Sequence, residues 1–140
     1  MNIPMIDSTM YEGQPPSFGF IAIINDEKHV EVVRYDAFVA ALAKPMGSLT
    51  MDLLHGAVGV SGEAGELLDA IKKNWIYGKP LDRTNVIEEL GDLRFYIQVI
   101  TNALGISEQE VLQENANKLS KRYKGIMYSD NAAIERADKS

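Results

Sequence analysis

The chain has no cysteine, and only two histidines and one tryptophan among its 140 residues. The first absence excludes disulfides, thiolate nucleophiles and Cys-type zinc sites. The scarcity of histidine leaves oxygen as the only abundant metal donor. Basic residues are also in the minority, 14 Lys and Arg against 20 Asp and Glu, for a net charge of −6. A general nucleic-acid binder needs clustered cations to neutralise phosphates, so no nucleic-acid partner is expected. No run of about 18 apolar residues occurs, so no membrane span is expected either. The opening "MNIPMIDSTMYEG" has no basic stretch ahead of an apolar run, which argues against a signal peptide. A cytoplasmic protein is the default expectation.

What is present suffices for one domain. Hydrophobic residues make up 46% of the chain, and chains of about 100–200 residues usually fold around a single core. Residues 1–16 read as irregular. "SFGFIAII" and "HVEVVRY" flank "NDEK" and read as a short β-hairpin. "YDAFVAALAK" (35–44) has a helical pattern ending at Pro45. A long helix is predicted over about 50–75 despite four glycines, then a turn "IYGKPLD", then a second helix over about 83–104. Ser107 and Glu110 form a capping box for a third, running to about 124, and the polar tail 126–140 reads as surface-hugging or frayed. The expected fold is all-α: a helical bundle built on an antiparallel hairpin of the two long helices, with a possible small N-terminal β-hairpin.

On those helices stand two carboxylate pairs at i,i+3 spacing, Glu63/Glu66 and Glu89/Asp92. Around the first helix Leu53, Ala57, Val60, Ala64, Leu67, Leu68, Ile71 and Trp75 form an apolar stripe. Glu63 borders that stripe, with Glu66 about 60° further round. Gly56, Gly59 and Ala70 leave a lane with almost no side-chain bulk beside the acids. A helical glycine costs about 1 kcal/mol relative to alanine, so that lane implies either a close helix approach or room for a ligand. On the second helix Glu89 and Asp92 fall among Val86, Leu93, Tyr96, Val99 and Ile100, so they should point at packed partners rather than water. At 1.5 Å per residue the pairs meet at one level of an antiparallel hairpin. Converging carboxylates of this kind call for a hard cation with oxygen ligands, Mg²⁺ or Mn²⁺.

Other polar groups have plainer alternatives. Asn115, Lys118 and Arg122 share one face of the last helix, suited to phosphate or simply to a solvated basic helix end. Lys73 lies at nearly the helical angle of Glu66 and is either a phosphate contact or a surface lysine. His55 lies on the same lane about 16 Å earlier and reads as a nucleoside contact or a neutral core histidine. Asp52 and His55 resemble half of a di-iron site whose second half is missing. Trp75 and Tyr96 read as core residues before stacking platforms.

"EAGE" followed by "EELGD", E-x-x-E then E-x-x-D across 22 intervening residues, resembles the signature of the MazG-like all-α nucleotide pyrophosphohydrolases. "NANKLSKRY" (115–123) is similar to the Asn–Lys–Arg–Tyr stretch that follows in that family. The likeness covers about 48–125, with 1–34 as an N-terminal extension and 126–140 as a tail of one domain spanning 1–140. "LLH" and "GKPLD" look most like short, often phage-borne members. The resemblance implies Mg²⁺-dependent hydrolysis of a nucleoside triphosphate to monophosphate and pyrophosphate, by a homodimer or homotetramer. It makes Glu63, Glu66, Glu89 and Asp92 the metal ligands and catalytic carboxylates. Lys73, Asn115, Lys118, Arg122, Tyr123 and His55 become candidates for substrate contact. Purine deoxynucleotides (dGTP, dATP) are the favoured substrates, with house-cleaning of non-canonical nucleotides or a non-catalytic sensor or adaptor as alternatives. A phage-encoded member would work in the host cytoplasm.

Overall fold

The structure is a computed structural model that describes residues 19–24 and 30–139. The expected irregular start and the whole "NDEK" turn lie outside the described residues. The chain divides into two compact units, one ending at Leu104 and the other beginning at Gly105.

In the first unit, β1 (Phe20–Ile24) and β2 (Val30–Arg34) pair antiparallel, Phe20 opposite Arg34 and Ala22 opposite Val32. Such a ribbon is marginal alone. β2 runs straight into α1 (Tyr35–Leu42), and Asn102 Nδ2 donates to the Asp36 carbonyl at 2.9 Å, tying the start of α1 to α3 (Arg83–Leu104). Val39 of α1 is fully buried. Helix α1 ends two residues before the predicted stop, with Ala43 already extended; Pro45 disfavours the helical conformation at Lys44, the residue directly before it.

Helix α2 (Leu49–Trp75) starts at Ser48, whose side chain accepts from Met51 N. Asp52 accepts from Met46 N at 2.9 Å, so it anchors the entering loop. α2 and α3 pack antiparallel, as expected. Their register follows from the glycines: a Cβ on Gly56 would lie 2.5 Å from Ile100 Cγ1, and one on Gly59 would lie 2.1–2.4 Å from the Tyr96 ring. These two glycines exist for close helix approach. Gly62 and Gly65 face open space instead. The turn between the helices closes with Gly78 at φ +60° and with Asn74 Nδ2 donating to the Lys79 carbonyl at 2.7 Å. Asp82 then caps α3 by accepting from Asn85 N.

The apolar stripe of α2 corrects one expectation. Trp75 is 79% exposed and Leu68 65%, with Ile71 also open, so they are not core residues. The residues of α2 that α3 covers, among them Gly56, Gly59 and Ala70, lie about 90° around the helix from the middle of that stripe. One partner helix covers one face. On α3, Val86, Leu90, Leu93, Ile97 and Leu104 likewise sit beside the α2-facing side, and Leu90 and Leu104 are exposed. By helix geometry both stripes turn to the same side of the hairpin.

The second unit is α4 (Glu108–Arg122), a 3₁₀ turn at Lys124–Ile126, α5 (Asp130–Glu135) and a 3₁₀ turn at Ala137–Lys139. The capping box is present: Ser107 Oγ accepts from Glu110 N at 3.1 Å, and Ser107 N donates to Glu110 Oε2 at 2.7 Å. The tail is more ordered than its polar composition suggests. Ser129 Oγ accepts from Ala132 N at 3.1 Å and opens α5, a serine cap of the kind that starts helices.

Candidate metal centre

The glycine-spaced register brings the two acidic pairs to one level. Tyr96 meets Gly59 and Ile100 meets Gly56, so one turn further Asp92 comes level with Glu63, and Glu89 with Glu66. One carboxylate oxygen from each of Glu63, Glu89 and Asp92 lies within 4.8 Å of the other two. Glu63 and Glu89 are half-buried between the helices, whereas Asp92 is exposed, contrary to the expectation that it faces packed partners. Glu66 is exposed and stands outside the group of three.

The electrostatics agree with the geometry. Partial burial pushes the Glu89 carboxyl above its ordinary pKa, and the charges of Glu66, Asp92, Glu63 and Glu88 push it the same way. A protonated or cation-bound Glu89 relieves that repulsion. Three oxygens at this spacing, with no sulfur and no nitrogen donor in the group, fit a hard divalent cation. Octahedral Mg²⁺ at about 2.0–2.1 Å puts its ligand oxygens roughly 3–4 Å apart, inside the 4.8 Å limit that the three oxygens share.

The remaining candidates fall elsewhere. Lys73 Nζ pairs with Asp69 at 3.2 Å on the exposed surface. The His55 ring meets the Tyr96 ring edge-on at 5.9 Å, and its Nδ1 is buried without a hydrogen-bond partner. In the second unit, Asn115 and Lys118 line a cleft of about 670 Å³ together with Ile106, Glu110 and Glu114. The Arg122 guanidinium is gripped by Asp138, through Nε at 2.6 Å and Nη2 at 2.8 Å. Tyr123 stands beside Tyr128 with ring centroids 5.8 Å apart. Sequence reasoning missed Asp138; a lone acid in a polar tail carries no periodic signal.

The family model of the MazG nucleotide pyrophosphohydrolase domain matches residues 56–127. The chain belongs to this family. The match takes in Glu63, Glu66, Glu89 and Asp92 and all of α4, and leaves the β-hairpin, α1, the start of α2 and the residues after 127 outside. No solved structure matches the chain. The all-α character expected of the family is present, with the two-stranded ribbon as an addition. Nucleotide pyrophosphohydrolase is the activity of the family, and a divalent metal is its general requirement. Among the described residues, no helix is long and apolar enough to cross a membrane.

Proposed function

We propose that this chain is a Mg²⁺-dependent pyrophosphohydrolase that splits nucleoside triphosphates between the α and β phosphates. The observation that carries the reading is the convergence of Glu63, Glu89 and Asp92 within the region that matches the family. A triphosphate brings about four negative charges to an acidic protein, and a divalent cation held by the carboxylates would neutralise phosphate charge and polarise the phosphorus centre. Glu63 and Glu89, fixed at the helix contact, and Asp92, at its open edge, are the proposed ligands. Glu66 lies level with Glu89 but outside the oxygen triad, so its carboxylate is free to orient a water and take its proton. Water oxygen bonds to the α phosphorus, the bond from that phosphorus to the α–β bridging oxygen breaks, and pyrophosphate leaves. Asn115, Lys118 and Arg122 are the proposed phosphate contacts of α4, with Tyr123 beside them. Lys73 and His55 are candidates of second rank, since Lys73 is already paired on the surface.

We take both units to serve one domain, because the family match runs across residues 104 and 105. The exposed stripe of the hairpin supports a homodimer or homotetramer. Trp75, 79% exposed, is a side chain that buries roughly 150–250 Å² in a core, and standard interfaces bury about 800 Å² per partner.

Incubation with each deoxynucleotide and ribonucleotide triphosphate in Mg²⁺, with product analysis, tests the reading. Purine dNTPs, dGTP and dATP, are the first substrates to try. Monophosphate plus pyrophosphate is the expected result. Orthophosphate would mean that another bond is cut, and no turnover with any triphosphate would refute the assignment.

A further inference from the structure

Beyond residue 127 the chain lies outside the family match, yet it returns to α4. The serine-capped α5 and a left-handed Arg136, at φ +50°, turn the backbone so that Asp138 meets Arg122. The contact is a bidentate fork through Nε and Nη2. Asp138 has no exposed side-chain surface and Arg122 keeps 15%. The Tyr123 ring stands 5.8 Å from the guanidinium carbon.

We propose that Asp138 is a positioning residue, holding the Arg122 guanidinium so that its terminal Nη edge is presented to a substrate phosphate. The chemistry is that of a rigid planar fork with five N–H donors. Asp138 occupies the side formed by Nε and Nη2. Tyr123 also hydrogen-bonds the guanidinium, and the Nη hydrogens that neither partner uses suit phosphate oxygens. An opposite role, a latch competing with phosphate for Arg122, fits less well. A fully buried carboxylate cannot leave its partner without stranding a charge away from water. Arg122 also holds the Asp138 carboxyl down to about 2, so the fork stays ionised at any working pH. Asn115, Lys118 and Arg122 lie within about 60° of one another around α4, which directs the oriented group to the same face as the other two polar residues. The proposal rests on the reading of Arg122 as a phosphate contact.

The test is the affinity of the full chain for inorganic pyrophosphate in Mg²⁺, measured by calorimetry on wild type, R122Q, R122K, D138N and the R122K/D138N double variant. Each charge-assisted contact is worth about tenfold in affinity. R122Q and D138N should therefore each weaken binding about tenfold, and D138N should add nothing in the R122K background, where there is no fork to orient. Should D138N fail to fold, side-chain ¹⁵N NMR of wild type reads the same point. Pyrophosphate should move the Nη resonances of Arg122 and leave its Nε resonance in place. Unchanged affinity in D138N beside a weakened R122Q overturns the positioning role alone. Unchanged affinity in R122Q overturns the phosphate contact and the proposal with it. Tighter binding in D138N, or a shift at Nε, would indicate the latch. None of these readouts needs turnover, so loss of the enzyme assignment is separately visible.

Discussion

Two glycines one turn apart on α2 should respond to alanine with opposite signs. A Cβ at Gly59 would meet the Tyr96 ring, with Cγ at 2.2 Å, Cδ1 at 2.1 Å and Cε1 at 2.4 Å. Because Cγ is the base of the ring, no rotation of its far end relieves the clash; the whole ring must move. It is already edge-on to His55 and to Phe95, at centroid separations of 5.9 and 5.4 Å. Overpacking of this kind costs about 1–3 kcal/mol, and three ring atoms within 2.1–2.4 Å put this site in the upper half, about 2–3 kcal/mol, against a gain of about 1 kcal/mol from replacing a helical glycine. Gly59→Ala should thus lose about 1–2 kcal/mol net. At Gly62 nothing lies within 4 Å of the added carbon, and neither glycine has a positive φ. Gly62→Ala should gain up to about 1 kcal/mol. At roughly 4 °C per kcal/mol for a chain of this size, the two variants should melt about 4–12 °C apart in scanning calorimetry of the metal-free protein. A Gly59→Ala variant as stable as wild type would refute the inferred helix register, and with it the levels assigned to the acids.

The carboxylate cluster yields two further expectations and the exposed stripe a third. Glu89→Gln should abolish triphosphate turnover while leaving the fold intact or stabler, since it removes a charge repelled by four neighbours; an active variant would remove Glu89 from the ligand set. The raised pKa of folded Glu89 means that native protein holds a proton which the unfolded chain has released between the two pKa values. Stability of the metal-free protein should therefore fall as pH rises through that window, and Mg²⁺ should flatten the dependence; a melting profile indifferent to both would refute the coupling. Leu68→Glu should shift the protein to a smaller species in light scattering, because the side chain is 65% exposed on the uncovered stripe. An unchanged mass would exclude that face as the interface.

Helix positions were legible because local rules set them. Ser107 and Glu110 form their box, and α3 occupies the interval 83–104 that its apolar period marks. Which face of each helix meets which neighbour was not. On α2 the apolar stripe and the glycine lane are two different faces. Hydrophobicity points to the first, while the steric need of Tyr96 and Ile100 selects the second as the contact with α3. A wheel drawn from one helix cannot rank them, since the deciding bulk belongs to the other helix. Asp138 was hidden for a related reason. Its partner lies in α4, so its burial depends on a turn made by α5 and Arg136 rather than on any neighbour in sequence.

The glycine lane and the acids are one device. The absence of a Cβ at Gly56 and Gly59 lets α2 approach α3 until ring and backbone nearly touch. Glu63 stands one turn beyond Gly59, so it inherits that short interhelical distance, and its oxygen comes within 4.8 Å of oxygens from the facing helix. Bulkier residues in the lane would spread the helices and relax the repulsion that now raises the Glu89 pKa. They would also pull the oxygens beyond the reach of one small cation, whose ligands must all stand about 2 Å from it. Gly59→Ala should consequently weaken Mg²⁺ affinity as well as stability, while Gly62→Ala changes stability alone. If both variants bind Mg²⁺ like wild type, helix spacing does not set the separation of the carboxylates.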